Sequence, residues 1–217
     1  MGRIGTQRAG LGLWIAALLA VLIALASYRY LVPGMPGGAP NVLDNRFAHT
    51  GALVVHAGLA STALILGAIQ FFPRLRARWP RWHRRAGTVY VICCLVGGSA
   101  GLLLALGVSS GPIATAGFGT LAVLWIAFTA NAWRLARARD FVRHRRWMIR
   151  SYALTFAAVT LRLYLPIAAI AHMDFMQAYR AISFLAWVPN LIVAEWLVRR
   201  PAFRTSPPLA TPSQSPG

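Results

Sequence analysis

Six apolar runs, each about as long as a helix needs to cross a hydrocarbon layer, dominate this chain and leave it few ways to fold. Backbone N–H and C=O groups find no water inside a bilayer, so a spanning segment must satisfy them internally, and a helix of about 20 apolar residues does so. The runs cover Leu11 to Val32, Thr50 to Phe72, Ala86 to Gly107, Pro112 to Leu135, Arg150 to His172 and Ala178 to Val198. Of the 217 residues, 58% are hydrophobic and 12% charged. That apolar share exceeds what a water-soluble domain of this size buries. The expected fold is all-α, a polytopic bundle of about six transmembrane helices.

The arginines set the orientation. All 22 basic side chains are arginine, against only Asp44, Asp140, Asp174 and Glu195. A formal charge of +18 on a soluble surface would suggest nucleic acid. Here the charge is packed between apolar runs, which excludes that partner and points to topology instead. One link holds Arg74, Arg76, Arg78, Arg81, Arg84 and Arg85, and another holds Arg134, Arg137, Arg139, Arg143, Arg145 and Arg146. The intervening links carry Arg46, none around Ser109 to Gly111, and Arg180. Arginine-rich links stay on the cytoplasmic side, which predicts both termini inside, a multi-pass location in the bacterial inner membrane, and contact with anionic lipid headgroups.

The expected domain plan is a cytoplasmic N-terminus over residues 1–10, a transmembrane domain over 11–200 and a disordered cytoplasmic tail over 201–217. Pro33 to Asn41 reads as an external loop. Arg3 and Arg8 before the first run, with Ala24, Ala26 and Ser27 behind it, also match a cleaved signal peptide. The length of that run favours a retained anchor. Cys93 and Cys94 are neighbours in an apolar stretch and read as reduced packing residues. Gly97 and Gly101 in the third run, and Gly117 and Gly119 in the fourth, mark close helix contacts.

Polar groups inside the runs are where function concentrates, because each is expensive in lipid unless it faces protein or water. Arg162 is placed roughly 18 Å into the fifth run. Pro166 lacks the amide that would bond the Arg162 carbonyl, which predicts a kink there. His144, Ser151, Thr155 and Arg162 share one face if the helix is continuous. Asn190 is the expected partner of Arg162, and Glu195 that of an arginine near the cytoplasmic end.

The histidines supply the second candidate chemistry. His49 and His56 share a face of the second run with Ala60, Ala63, Gly67 and Gln70, and His172 ends the fifth. His83 and His144 precede helices beside Arg84, Arg85, Arg145 and Arg146. Paired imidazoles on separate helices can ligate haem iron axially, and arginines suit its propionates. Haem b held by two of His56, His83, His144 and His172, with Arg84 and Arg145 on the propionates, is therefore one expectation. The same residues as plain interfacial contacts are the other. Motifs for covalent haem attachment, zinc proteolysis, nucleotide binding or a nucleophile elbow are absent.

The string H83-R-R-A-G87, then H144-R-R-W-M-I-R-S-Y-A-L154 through T160-L-R162, with the N190 to E195 element, resembles the domain-of-unknown-function 2306 family of bacterial multi-pass membrane proteins. The similarity covers roughly His49 to Arg199. It implies a helical membrane domain, assigns no substrate, and matches the family pattern at His56, His83, Gly87, His144, Arg150, Arg162 and Glu195. Three functions follow from the residues. The first is a small b-type haem or redox membrane protein with a redox partner. The second is a transporter or lipid-binding protein with a polar pathway around Arg162. The third is a structural or assembly partner within the membrane.

Overall fold

A computed structural model describes residues 2–31, 48–107 and 110–200. The loop 33–41, the tail 201–217 and the residues Asp44, Arg46 and Arg204 lie outside the described residues, as do the side chains of Arg3, Arg8 and His49. Helices α1 (Gly2–Ser27), α2 (Ala48–Gln70), α3 (Pro73–Arg78), α4 (Pro80–Leu106), α5 (Pro112–Arg137), α6 (Phe141–Thr155), α7 (Ala157–Ile170), α8 (Phe175–Leu185) and α9 (Val188–Arg199) follow in order. Among the described residues there is no strand, and six segments are long and apolar enough to cross a membrane. The chain is thus a multi-pass helical membrane protein.

Helix starts reach further into the arginine-rich links than hydropathy alone suggests. The third span begins at Pro80 and the fifth at Phe141, so Arg81 to Arg85 and Arg143 to Arg150 are helical. Proline at the first helical position of α3 and of α4 explains both starts, since the missing N–H would be unpaired there anyway. Asp140 caps α6 by accepting the Arg143 amide at 3.0 Å. Asp174 caps α8 through the Gln177 amide at 2.9 Å. The turn before α8 passes through His172 with φ 53°, a left-handed conformation that ends α7.

Two spans are broken rather than straight. The fifth is interrupted at Phe156, between α6 and α7, and the sixth at Ala186 and Trp187, between α8 and α9. Pro189 accounts for the second break, because it cannot donate to the carbonyl one turn back. The first falls well before Pro166, which lies inside α7.

The core runs along the α4 seam. α2 packs on α4, α4 on α5 and α5 on α6, while α1 rests on α2 and α7. α1 meets the bundle through Ala20 and Ala24 and exposes Leu11, Trp14, Leu18 and Leu22. Lipid must solvate that exposed row. Tyr90, wholly buried, bonds both Ser151 and Thr155 at 2.9 Å. Thr129 meets Ser151 at 2.7 Å, and Trp125 Nε1 donates to Thr155 at 2.9 Å. Such contacts average about 0.6 kcal/mol each inside a membrane, so five hydroxyl and indole groups on α4, α5 and α6 stitch the bundle modestly and specifically. Cys93 and Cys94 are buried packing residues beside them.

Candidate functional site

Small residues first create the space. A Cβ on Gly101 would lie 2.8 Å from His56 Nδ1, and one on Gly97 would lie 3.2 Å from Leu59 Cβ. α2 and α4 therefore approach only because glycines face His56 and its neighbour. In return His56 Nδ1 meets the Gly97 carbonyl at 2.8 Å. A carbonyl only accepts, so Nδ1 carries the proton and, in the neutral ring, Nε2 is left as an acceptor.

Beside this ring lies a partly open cavity of about 240 Å³ lined by α2, α4, α5, α6, α7, α8, the end of α1 and the turn after it. Its polar groups are His56, Arg162, Tyr30, Tyr179, Ser27, Ser61 and Thr155. Leu53, Leu64, Leu104, Leu121 and Leu161 supply much of the remaining wall, with Trp125 set edge-on to His56 at 6.5 Å between ring centroids. Thr155 joins the cavity to the buried hydroxyl cluster, since it bonds Trp125 and Tyr90.

Arg162 dominates the electrostatics. α7 ends at Ile170, so Arg162 is about 12 Å inside that end, the same depth at which His56 sits below the start of α2. Its one hydrogen bond among the described residues is from Nη1 to the Ala158 carbonyl at 3.0 Å. Among the described residues no carboxylate comes within ion-pair distance of it; the ion pairs are Arg143 with Asp140 and Arg150 with Glu195. A guanidinium keeps its charge at any physiological pH, so the cavity holds a fixed cation without a countercharge from these residues.

Asn190 does not partner Arg162. Its amide donates to the Ala153 carbonyl at 3.3 Å, the Thr160 hydroxyl at 3.1 Å and the Ala186 carbonyl at 3.0 Å. Thr160 also donates to the Ala186 carbonyl. Asn190 thus repairs the two helix breaks, whose carbonyls need donors in a dry setting, and has no donor left for the cavity. Glu195 binds Arg150 at two points, Nε to Oε1 at 2.5 Å and Nη2 to Oε2 at 3.0 Å.

The structure divides the histidines into separate places. His56 is the imidazole on the cavity, while His172 is exposed in the turn after α7. His83 and His144 lie at the arginine-rich end, each two helical turns before a member of the Tyr90 to Ser151 bond, and near enough for their charges to interact. His144 Nδ1 meets the Ala132 carbonyl at 2.8 Å. Arg84 is exposed in the first turns of α4, and Arg145 in those of α6. Among the described residues no cluster of three or more His, Cys, Asp or Glu side chains forms a metal centre.

Tyr30, Tyr179 and Trp125 went unsingled in the sequence because isolated aromatics in apolar runs look like any other packing residue. Only the spacing of Trp125 and Thr129, one turn apart, hinted at a shared inward face.

A family model described as a predicted membrane protein matches residues 53–198. No curated protein and no solved structure matches the chain.

Proposed function

Because the chain belongs to the DUF2306 family of predicted membrane proteins, a family whose description names no substrate, we propose a reading from its own cavity: the protein binds an amphipathic anion in the membrane and carries it through a polar pathway at Arg162. The carrying observation is the Arg162 guanidinium, which faces a small, largely apolar cavity with no carboxylate partner among the described residues. A half-buried cation without its counterion carries a desolvation cost, and an arriving carboxylate or phosphate head supplies that counterion in bidentate geometry. His56 and the two tyrosines offer further hydrogen bonds, and the leucine walls accept the apolar body. Paired breaks in the fifth and sixth spans support carriage, since transporters typically build their substrate sites from discontinuous helices.

The test uses a dibrominated long-chain fatty acid, whose bromines quench Trp125 fluorescence when it enters the cavity. Native protein in detergent should show saturable quenching that is lost in the W125F variant, and R162Q should weaken binding by at least about tenfold, the scale of a lost charged hydrogen bond. The same acid should enter protein-containing vesicles faster than empty ones. Identical quenching by native protein and R162Q would refute the reading.

A second reading rests on a different place. Tyr90 on α4 bonds Ser151 on α6, and His83 and His144 each precede their member of that bond by seven residues, toward the arginine-rich end. With Nδ1 of His144 committed to Ala132, its Nε2 is the free ligand atom, the tautomer that metal-bound imidazoles adopt. A b-type haem there would draw on Arg84 and Arg145, and neither His56 nor His172 would take part. A Soret band in protein expressed with haem supplementation, abolished by H83A and by H144A, would carry this reading; its absence from native protein would end it.

A further inference from the structure

The stretch joining the second and third spans carries a short helix of its own. α2 stops at Gln70, the six-residue α3 crosses from Pro73 to Arg78, and α4 starts at Pro80. Trp79 ends one helix and precedes the next. With a proline opening each helix, φ is fixed at both starts and the corner is stiff. A groove lies in this corner, with Ile69 and Leu75 among its apolar residues. Trp79 and Trp82 stand in it half exposed, at 52% and 42%.

Three guanidiniums, Arg78, Arg81 and Arg85, line the same groove. Arg81 and Arg85 are one turn apart on α4 and so project from one face. Arg78 lies over the Trp79 ring, 5.7 Å from its centroid. None of the three meets a carboxylate among the described residues, where Asp140 is held by Arg143 and Glu195 by Arg150. The groove therefore concentrates positive charge over an apolar floor at the level where two spanning helices end.

We propose that this groove is a specific binding site for one anionic glycerophospholipid of the adjoining leaflet, independent of the Arg162 cavity. Three features fit an anionic lipid, and the last two separate it from a free anion. Guanidiniums bind the phosphate through paired N–H donors. Tryptophans belong at the headgroup level, where ring and N–H meet different surroundings. Ile69 and Leu75 give the glycerol and first acyl carbons a surface that inorganic phosphate cannot use. A general field from the basic links would attract anionic lipids too, but would not distinguish these arginines from equally charged ones elsewhere.

The experiment exploits that difference. Full-length protein, delipidated in neutral detergent, is titrated with phosphatidylglycerol or phosphatidylcholine and read by native mass spectrometry and by the thermal midpoint. The expected result is one tightly held phosphatidylglycerol per chain and a raised midpoint, with phosphatidylcholine doing neither. R78Q/R81Q/R85Q should lower affinity at least tenfold, while R134Q/R137Q/R139Q, with the same charge change, should leave it within about twofold. The single variant R81Q guards against misfolding of the triple and should weaken binding by a smaller factor. Equal loss from both triples would reduce the effect to a diffuse field and overturn the site. Competition by inorganic phosphate as effective as by the lipid would overturn the lipid assignment, as would saturation by phosphatidylcholine.

Discussion

Arg150 and Glu195 form a two-point ion pair that ties the first half of the fifth span to the last turns of the sixth, with Arg150 also resting on the Trp147 ring at 4.9 Å. The side chains are 18% and 35% exposed, so solvent screens the pair in part. Removing one member strands the other beside lipid.

That asymmetry gives the first prediction. E195A should destabilise the protein by about 1–2 kcal/mol, less than the 3–5 expected of a fully buried pair. R150M should do similarly, and the double variant should lose less than the two singles combined, because no charge is left without a partner. Thermal midpoints of the four proteins in one detergent close the cycle. Strict additivity would mean that the pair contributes nothing of its own.

The second prediction concerns Gly101. An alanine methyl there would press on the His56 ring at 2.8 Å from Nδ1 and 2.9 Å from Cε1. The obstacle is a side chain, so the helices can stay together while the ring swings off the Gly97 carbonyl, at about 1–3 kcal/mol for the overpacking. G101A should therefore remain folded, lose part of its thermal stability and bind the brominated acid less well. If its binding matches native protein, His56 plays no part in holding the ligand.

Spans and candidate polar residues were legible in the sequence for one reason: hydrocarbon tolerates few alternatives, so length and apolarity alone give six helices. What stayed hidden is where helices continue beyond the hydrocarbon. Phe141 to Ile149 is charged and amphipathic, and no hydropathy threshold separates it from a loop, yet Asp140 caps it into a helix. Placing the start there puts Arg162 about 31 Å of helix from the arginine-rich end instead of roughly 18 Å, and it lies about 12 Å inside the other end, level with His56. The same logic explains Asn190. Polar residues at like depth read as natural partners, but helix breaks create acceptors that a sequence does not display, and the break at Phe156 has neither proline nor glycine to announce it.

Those acceptors yield the last prediction. Asn190 gives its amide to Ala153, Thr160 and Ala186, groups on both sides of both breaks, so a single side chain holds α6, α7, α8 and α9 at their joints. Leucine has similar bulk and no donor, and N190L would leave carbonyls short of partners in a dry setting, at about 1–3 kcal/mol. The damage should be local, because the Tyr90 cluster and the α2 to α4 contact do not depend on it. Hydrogen exchange should accordingly rise in α7 and α8 while α4 and α5 keep their protection. N190D retains acceptors but not the amide and should behave like N190L, whereas N190Q, with its donor kept, should recover part of the protection. Uniform exchange across all spans in N190L would show that the two breaks are not joined through this residue.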